Sequence, residues 1–109
     1  MRSTINKNSQ LINQQQLESV FSINRVGIEK ESLRASYDGV IAQTDHPPAL
    51  GAALTHPHIT TDYSEALLEF VTPPMGSTQQ ALDFLSTIHA FVYPNMNQEC
   101  LWPASMPCR

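Results

Sequence analysis

The sequence ITTDYSEALLEFVT, residues 59–72, places three carboxylates in a run that is otherwise apolar or hydroxylic. They belong to Asp62, Glu65 and Glu69. No Lys or Arg occurs between Arg34 and Arg109, so no neighbouring base along the chain balances them. A carboxylate removed from water destabilises the fold unless it is paired, hydrogen-bonded or bound to a metal ion. We therefore expect a positive complement, either a metal ion or a base from another part of a longer chain.

Two local geometries fit this run. In a helix, positions 62, 65 and 69 are spaced i, i+3 and i+7 and share one face. In a strand, residues alternate between faces, with Glu65, Leu67, Glu69 and Val71 on one side and Ala66, Leu68 and Phe70 on the other. β-Branched residues at both ends and the Pro73-Pro74 stop favour the strand.

A second acidic pair, Glu29 and Glu31, lies in a segment that also has strand character. Residues 23–34 and 40–44 flank the turn signal Asp38-Gly39, which predicts a β-hairpin. On a strand, two carboxylates at i and i+2 share a face and stand about 6–7 Å apart, a spacing that suits divalent ions with shared ligands. A solvent-exposed strand face is the alternative.

Two helices are expected around these strands. Ser77-Thr-Gln-Gln80 is a capping box and predicts a helix over residues 77–93 that lies on the sheet. Its predicted apolar stripe is Leu82, Leu85, Ile88 and Val92. His89 on this helix is expected to be a core or rim residue. An N-terminal helix is predicted within residues 1–22, with Ser9 as its cap.

Composition narrows the class of partner. The formal charge of −4 argues against nucleic acid or an anionic membrane as the main partner. No apolar run approaches the roughly 20 residues of a spanning helix, and the start of the chain lacks a secretory segment, so we expect a cytoplasmic location. A zinc site at His46, His56 and His58 is less favoured than hydrogen bonding within their loop. Oxygen-only carboxylate sites suit Mg²⁺ or Mn²⁺ and commonly serve nucleotide phosphates.

Four segments resemble the N-terminal part of bacterial (type 1) glutamate–cysteine ligases. They are GIEKESLR at 27–34, ALGAALTHP at 49–57, ITTDYSEALLEF at 59–70 and LWPASMPC at 101–108. The resemblance implies an α+β fold, an antiparallel sheet with packed helices that forms part of a glutamine synthetase-like carboxylate–amine ligase. It therefore favours the strand geometry over the helical one.

The resemblance also implies an activity and a set of site residues. The family joins the γ-carboxylate of glutamate to the amine of cysteine with ATP, the first step of glutathione biosynthesis. The motifs carry over Glu29, Glu31, Asp62 and Glu69 as Mg²⁺ ligands and Tyr63 as a residue bordering the cysteine pocket. No catalytic side chain is assigned. Two alternatives stay open: a non-catalytic domain that binds a divalent cation or a partner, and a related ligase with another amine substrate.

The chain is several times shorter than the family's. We expect residues 1–109 to form a single incomplete domain, with the N-terminal helix in 1–22 and the sheet, helix and site motifs in 23–109. The remainder of the same polypeptide would then supply the bases that hold phosphates and most of the glutamate pocket. Without it, the fragment is expected to be inactive.

Overall fold

The computed structural model describes residues 2–14 and 17–104, and within them it has the predicted α+β architecture. The helices are α1 (Arg2–Gln14), α2 (Glu18–Ser22) and α3 (Thr78–Val92), with short 3₁₀ turns at Pro48–Leu50 and Tyr93–Asn95. The strands are β1 (Glu29–Ser36), β2 (Ile59–Thr61), β3 (Leu67–Val71) and β4 (Glu99–Leu101). Among these elements, no helix is long and apolar enough to cross a membrane.

The four strands form one antiparallel sheet in the order β2-β3-β1-β4. β1 is central, pairing with β3 along its first half and with β4 along its second. The strand interpretation of the acidic run is thus confirmed. In β3, Leu68 and Phe70 are buried and Glu69 is only partly so, as the period of two requires.

Residues 59–72 are nevertheless two strands rather than one. Backbone bonds from Asp62 N to Leu67 O (3.1 Å) and from Leu67 N to Ser64 O (3.0 Å) close a tight turn between β2 and β3. The prediction that Glu65 lies on the strand face with Glu69 is therefore wrong, because Glu65 lies in the turn. The same turn brings Asp62 back beside β3.

Helix α3 packs on one face of the sheet, as expected from the capping box. The hydroxyl of Ser77 accepts a hydrogen bond from Gln80 N, and Leu85, Ile88 and Val92 join Leu68 and Phe70 in the core. Leu82 does not belong to the buried stripe, because its side chain is 45% exposed while Ala81 is fully buried. The buried positions 81, 85, 88 and 92 follow the i, i+4, i+7, i+11 spacing of a 3.6-residue period.

Two other expectations are corrected. Ser9 does not cap a helix, because it lies inside α1, which already begins at Arg2; no Gly or Pro precedes Ser9 to prevent this. The hairpin after β1 has only an isolated bridge, Ala35–Ile41, as its second arm. Beyond this bridge, the hydroxyl and carbonyl oxygens of Thr44 accept hydrogen bonds from the Arg34 guanidinium.

The end of the fourth motif, residues 105–109, lies outside the described residues. Its start is extended as predicted, with Leu101 in β4 and Trp102 N donating to Leu33 O at 2.7 Å.

Candidate metal centre on the open face of the sheet

The carboxylates predicted to bind metal lie on the face of the sheet opposite α3. Glu29 and Glu31 are exposed on β1, Glu69 is partly buried on β3, and Asp62 is exposed directly after β2. The strand period explains the first three positions, because residues 29, 31 and 69 alternate with core residues such as Phe70. The turn that follows β2 explains the fourth.

Strand register brings Glu31 and Glu69 directly opposite each other. Backbone bonds from Thr72 N to Ile28 O (2.9 Å) and from Arg34 N to Ala66 O (2.7 Å) place the hydrogen-bonded pairs at even positions of β1. The Glu31–Glu69 pair is therefore a non-hydrogen-bonded one, in which opposed side chains approach most closely, with Cβ atoms about 4.5–5.5 Å apart.

Glu69 is affected electrostatically by the three other carboxylates. Partial burial raises the pKa of Glu69, and the charges of Asp62, Glu29 and Glu31 raise that pKa further. Within residues 2–14 and 17–104, no hydrogen bond or ion pair to the side chains of these four residues is found. The cluster thus carries mutual repulsion that the described chain leaves uncompensated.

The donor set fits a hard divalent cation. No three Asp, Glu, His or Cys side chains in the described part of the chain already converge as a complete ligand set. Mg²⁺ does not require one, because it commonly binds through one or two protein carboxylates and completes its octahedron with water and substrate phosphates. The opposed pair Glu31–Glu69, with Glu29 and Asp62 beside it, meets that need with oxygen donors alone.

Tyr63 lies next to Asp62 at the tip of the β2–β3 turn. Tyr63 is 94% exposed, so its ring is accessible from solvent. Its assignment to a substrate pocket stays a prediction.

The loop histidines make hydrogen bonds within and next to their loop, which is the role that the sequence favoured over zinc binding. Nδ1 of His56 lies 3.1 Å from the backbone nitrogen of His58 and 2.9 Å from that of Ile59, which both donate to it. His58 Nδ1 lies 3.0 Å from Val71 O, and His46 Nε2 lies 3.0 Å from Gly51 O. Burial lowers the pKa of His46, which favours its neutral form.

Glu99 has no neighbouring base along the chain either, but the fold supplies it with one from a distant strand. Arg34 Nη1 lies 2.7 Å from Glu99 Oε2, and the Arg34 side chain is fully buried. Glu65 also has a partner, because its Oε1 accepts a hydrogen bond from His46 N at 2.9 Å. Local sequence carries no signal for the ion pair, since 65 positions separate its members and only β1–β4 pairing joins them.

Comparison with known proteins found a matching family model and similar relatives. The family model described as glutamate–cysteine ligase matches residues 9–109. Glutamate–cysteine ligases from Alcanivorax borkumensis, Edwardsiella ictaluri and Pseudomonas entomophila are 61%, 56% and 57% identical over 84, 84 and 82 residues. These matches cover 77%, 77% and 75% of this chain but 16% of each relative, so the chain spans about a sixth of their length.

Solved structures show the same likeness in three dimensions. A glutamate–cysteine ligase from Francisella tularensis in complex with AMP superposes with a TM-score of 0.74 and 42% identity, covering 78% of this chain and 18% of that one. A bifunctional glutathione synthetase from Pasteurella multocida gives a TM-score of 0.80 and 39% identity, covering 89% and 13%. Sequence and fold together show that this chain belongs to the glutamate–cysteine ligase family.

Proposed function

We propose that this chain provides metal-binding carboxylates to an ATP-dependent glutamate–cysteine ligase, with Glu29, Glu31, Asp62 and Glu69 as the Mg²⁺ (or Mn²⁺) ligands. The observation that carries this proposal is the opposed pair Glu31–Glu69 on an open sheet face. The raised pKa of Glu69, caused by partial burial and three neighbouring acids, supports it. A cation there offsets a repulsion that otherwise destabilises the folded chain at neutral pH.

The proposed substrates are ATP, glutamate and cysteine. Family membership supports the two amino acids, and the AMP bound in the Francisella tularensis structure supports the nucleotide. The proposed reaction transfers the γ-phosphoryl group of ATP to a γ-carboxylate oxygen of glutamate, with ADP leaving. The amine of cysteine then attacks the acyl carbon, and phosphate leaves as the amide bond forms and the nitrogen loses a proton.

Within this reaction the chain's own residues bind and orient. The four carboxylates hold the cation, which when bound neutralises phosphate charge and aligns the transfer. Tyr63, exposed beside Asp62, is proposed to border the cysteine pocket. We assign the bases that hold the phosphates, and most of the glutamate pocket, to the larger part of the ligase polypeptide outside the matched segment. The predicted location is the cytoplasm.

A segment exchange tests the activity. The matching 84-residue segment of the Alcanivorax borkumensis ligase is replaced by that of this chain, and formation of γ-glutamylcysteine is measured against ATP and Mg²⁺. We expect the exchanged enzyme to ligate, and Glu69→Gln to lower kcat/KM roughly a hundredfold or more, since metal charge stabilisation amounts to several kcal/mol. Asp83→Asn, the same charge change on the exposed side of α3, is the matched control and should leave the rate unchanged.

Retained activity and Mg²⁺ dependence in Glu69→Gln would make Glu69 a structural acid. A folded but inactive exchanged enzyme would remove support for the ligase role. If the exchanged enzyme were inactive while the 109-residue chain bound Mg²⁺ in calorimetry, the two results together would favour the non-catalytic cation-binding alternative. Binding is separated from screening by comparing thermal melts in MgCl₂ and in NaCl of equal ionic strength. If the two melts coincide, the carboxylates form an ordinary solvated surface.

A further inference from the structure

The turn between β2 and β3 is held to two other parts of the chain at Glu65. Its carbonyl oxygen accepts a hydrogen bond from Arg34 Nη2 at 3.2 Å, and its carboxylate oxygen Oε1 accepts one from the backbone nitrogen of His46 at 2.9 Å. The carbonyl oxygen of the next residue, Ala66, accepts a hydrogen bond from Arg34 N at 2.7 Å. Glu65 therefore joins the turn both to β1 and to the loop over residues 45–51.

Both anchors of this turn are fixed in place. The Arg34 side chain is fully buried, and its guanidinium also donates to the hydroxyl and the carbonyl oxygen of Thr44, at 2.8 and 2.7 Å. His46 Nε2 lies 3.0 Å from the carbonyl oxygen of Gly51, and the residue before that glycine, Leu50, is fully buried in the core. The loop therefore offers the carboxylate in the turn a partner that is itself tied to the core.

The other end of the turn carries one of the candidate ligands. Asp62 N donates to Leu67 O at 3.1 Å and Leu67 N donates to Ser64 O at 3.0 Å, so the turn is closed on itself. Thr60 is the strand partner of Glu69, and Asp62 follows Thr60 by two positions, the period with which side chains return to one face of a strand. The position of the turn therefore decides where the Asp62 carboxylate stands relative to Glu69.

The tip of the turn has little packing to hold it, because Asp62, Tyr63 and Glu65 are all exposed. Exposed segments with few buried apolar contacts open locally at a small cost in free energy. Within the part of the chain that the structure describes, the carboxylate of Glu65 makes the one side-chain hydrogen bond between the turn and the loop. A ligand that is held in position before the cation arrives loses less freedom on binding, so this bond favours cation binding.

We propose that Glu65 is a positioning residue for the candidate metal centre: its carboxylate ties the β2–β3 turn to the loop backbone at His46, and this tie holds Asp62 in place beside Glu69. The inference rests on the proposed function, because it assumes that Asp62 and Glu69 bind the cation. Glu65 acts through Asp62 and not through contact with the cation, since its own carboxylate is engaged by the loop.

The test uses the exchanged ligase and measures the Mg²⁺ concentration that gives half of the maximal rate. Glu65→Ala removes the acceptor, and we expect this concentration to rise about fivefold, the size of one net hydrogen bond. The kcat at saturating Mg²⁺ should stay unchanged, because the bound cation then holds Asp62. Glu65→Gln removes the same charge but keeps an acceptor for His46 N, so it should keep the wild-type Mg²⁺ requirement. Asp45→Ala, which removes one exposed carboxylate from the adjacent position of the loop, is the matched control and should keep it too.

A general loss of stability does not produce this pattern. Leu85→Ala removes a core contact of α3 far from the turn and should leave the Mg²⁺ requirement unchanged below the melting temperature. Equal Mg²⁺ requirements in Glu65→Ala and Glu65→Gln would overturn the positioning role, and so would a lowered kcat with an unchanged Mg²⁺ requirement. If either result appears while Glu69→Gln still loses activity, the positioning role fails and the proposed function stands. A folded but inactive exchanged enzyme, or retained Mg²⁺ dependence and activity in Glu69→Gln, would overturn both.

Discussion

On the face of the sheet that packs against α3, the charged groups of β1 have partners within the chain, whereas on the opposite face the carboxylates have none among the described residues. Arg34 binds Glu99 and two backbone carbonyls, and Lys30 binds His89 and Ser32. Glu31 faces only another acid across the strand pair, Glu69. The same strand thus presents charges with partners to one side and charges without partners to the other.

This difference separates charges that are paired within the fold from charges that remain available to a ligand. A buried charge has a partner from the same chain, because an unpaired charge in the interior would destabilise the fold strongly. Carboxylates that water still reaches can remain unpaired, although partial burial and the charges of its acidic neighbours raise the pKa of Glu69. A group left in this state on an ordered strand is available to a ligand from outside, which is why the open face carries the proposed function.

The largest expected effect on stability comes from removing the ion pair on the face of the sheet that packs against α3. Glu99→Leu leaves the fully buried Arg34 without its counter-charge and should lower the free energy of unfolding by roughly 3–5 kcal/mol, a large share of the about 5–15 kcal/mol typical of a domain. Urea unfolding measures this. The double variant Arg34→Met with Glu99→Leu should recover most of the loss, because it removes both charges. A single variant within about 1 kcal/mol of the wild type would show that Arg34 is not dependent on Glu99.

A somewhat smaller loss of stability is expected from shortening a core side chain of α3. Leu85→Ala removes a core contact of α3 and should cost about 2–5 kcal/mol, whereas Leu82→Ala, at a 45% exposed position, should change stability by no more than about 0.5 kcal/mol. Thermal or urea unfolding of the two variants measures the difference. Equal losses would mean that α3 is rotated on the sheet toward the originally predicted stripe.

The smallest expected effect is a pH dependence of the free energy of unfolding that comes from Glu69 on the open face. Because the pKa of Glu69 is raised in the folded state, the folded chain binds more protons than the unfolded chain from the ordinary carboxyl range up to the raised value. Without metal, the contribution of Glu69 therefore makes the free energy of unfolding fall as pH rises through this window. Glu69→Gln should flatten the curve, and Mg²⁺ should do so in the wild type. A Glu69→Gln curve parallel to that of the wild type would place the pH response elsewhere.

Several features of this protein follow from the sequence alone because they depend on short-range rules. Alternation along a strand put Glu29 and Glu31 on one face, and the same rule buried Leu68 and Phe70. The Ser77 capping box set the start of α3, and the motifs alone indicated the family. The single incomplete domain and the cytoplasmic location stay predictions.

Other features were decided only by tertiary structure, because they depend on which distant segments meet. The β1–β4 pairing brought Glu99 to Arg34, and packing on the sheet selected Ala81 rather than Leu82 for the core. The β2–β3 turn removed Glu65 from the strand and placed Asp62 beside Glu69. Periodicity specifies which residues share a face, but the partner across a sheet is selected by burial and by the pairing of backbone hydrogen bonds, and neither is encoded in adjacent residues.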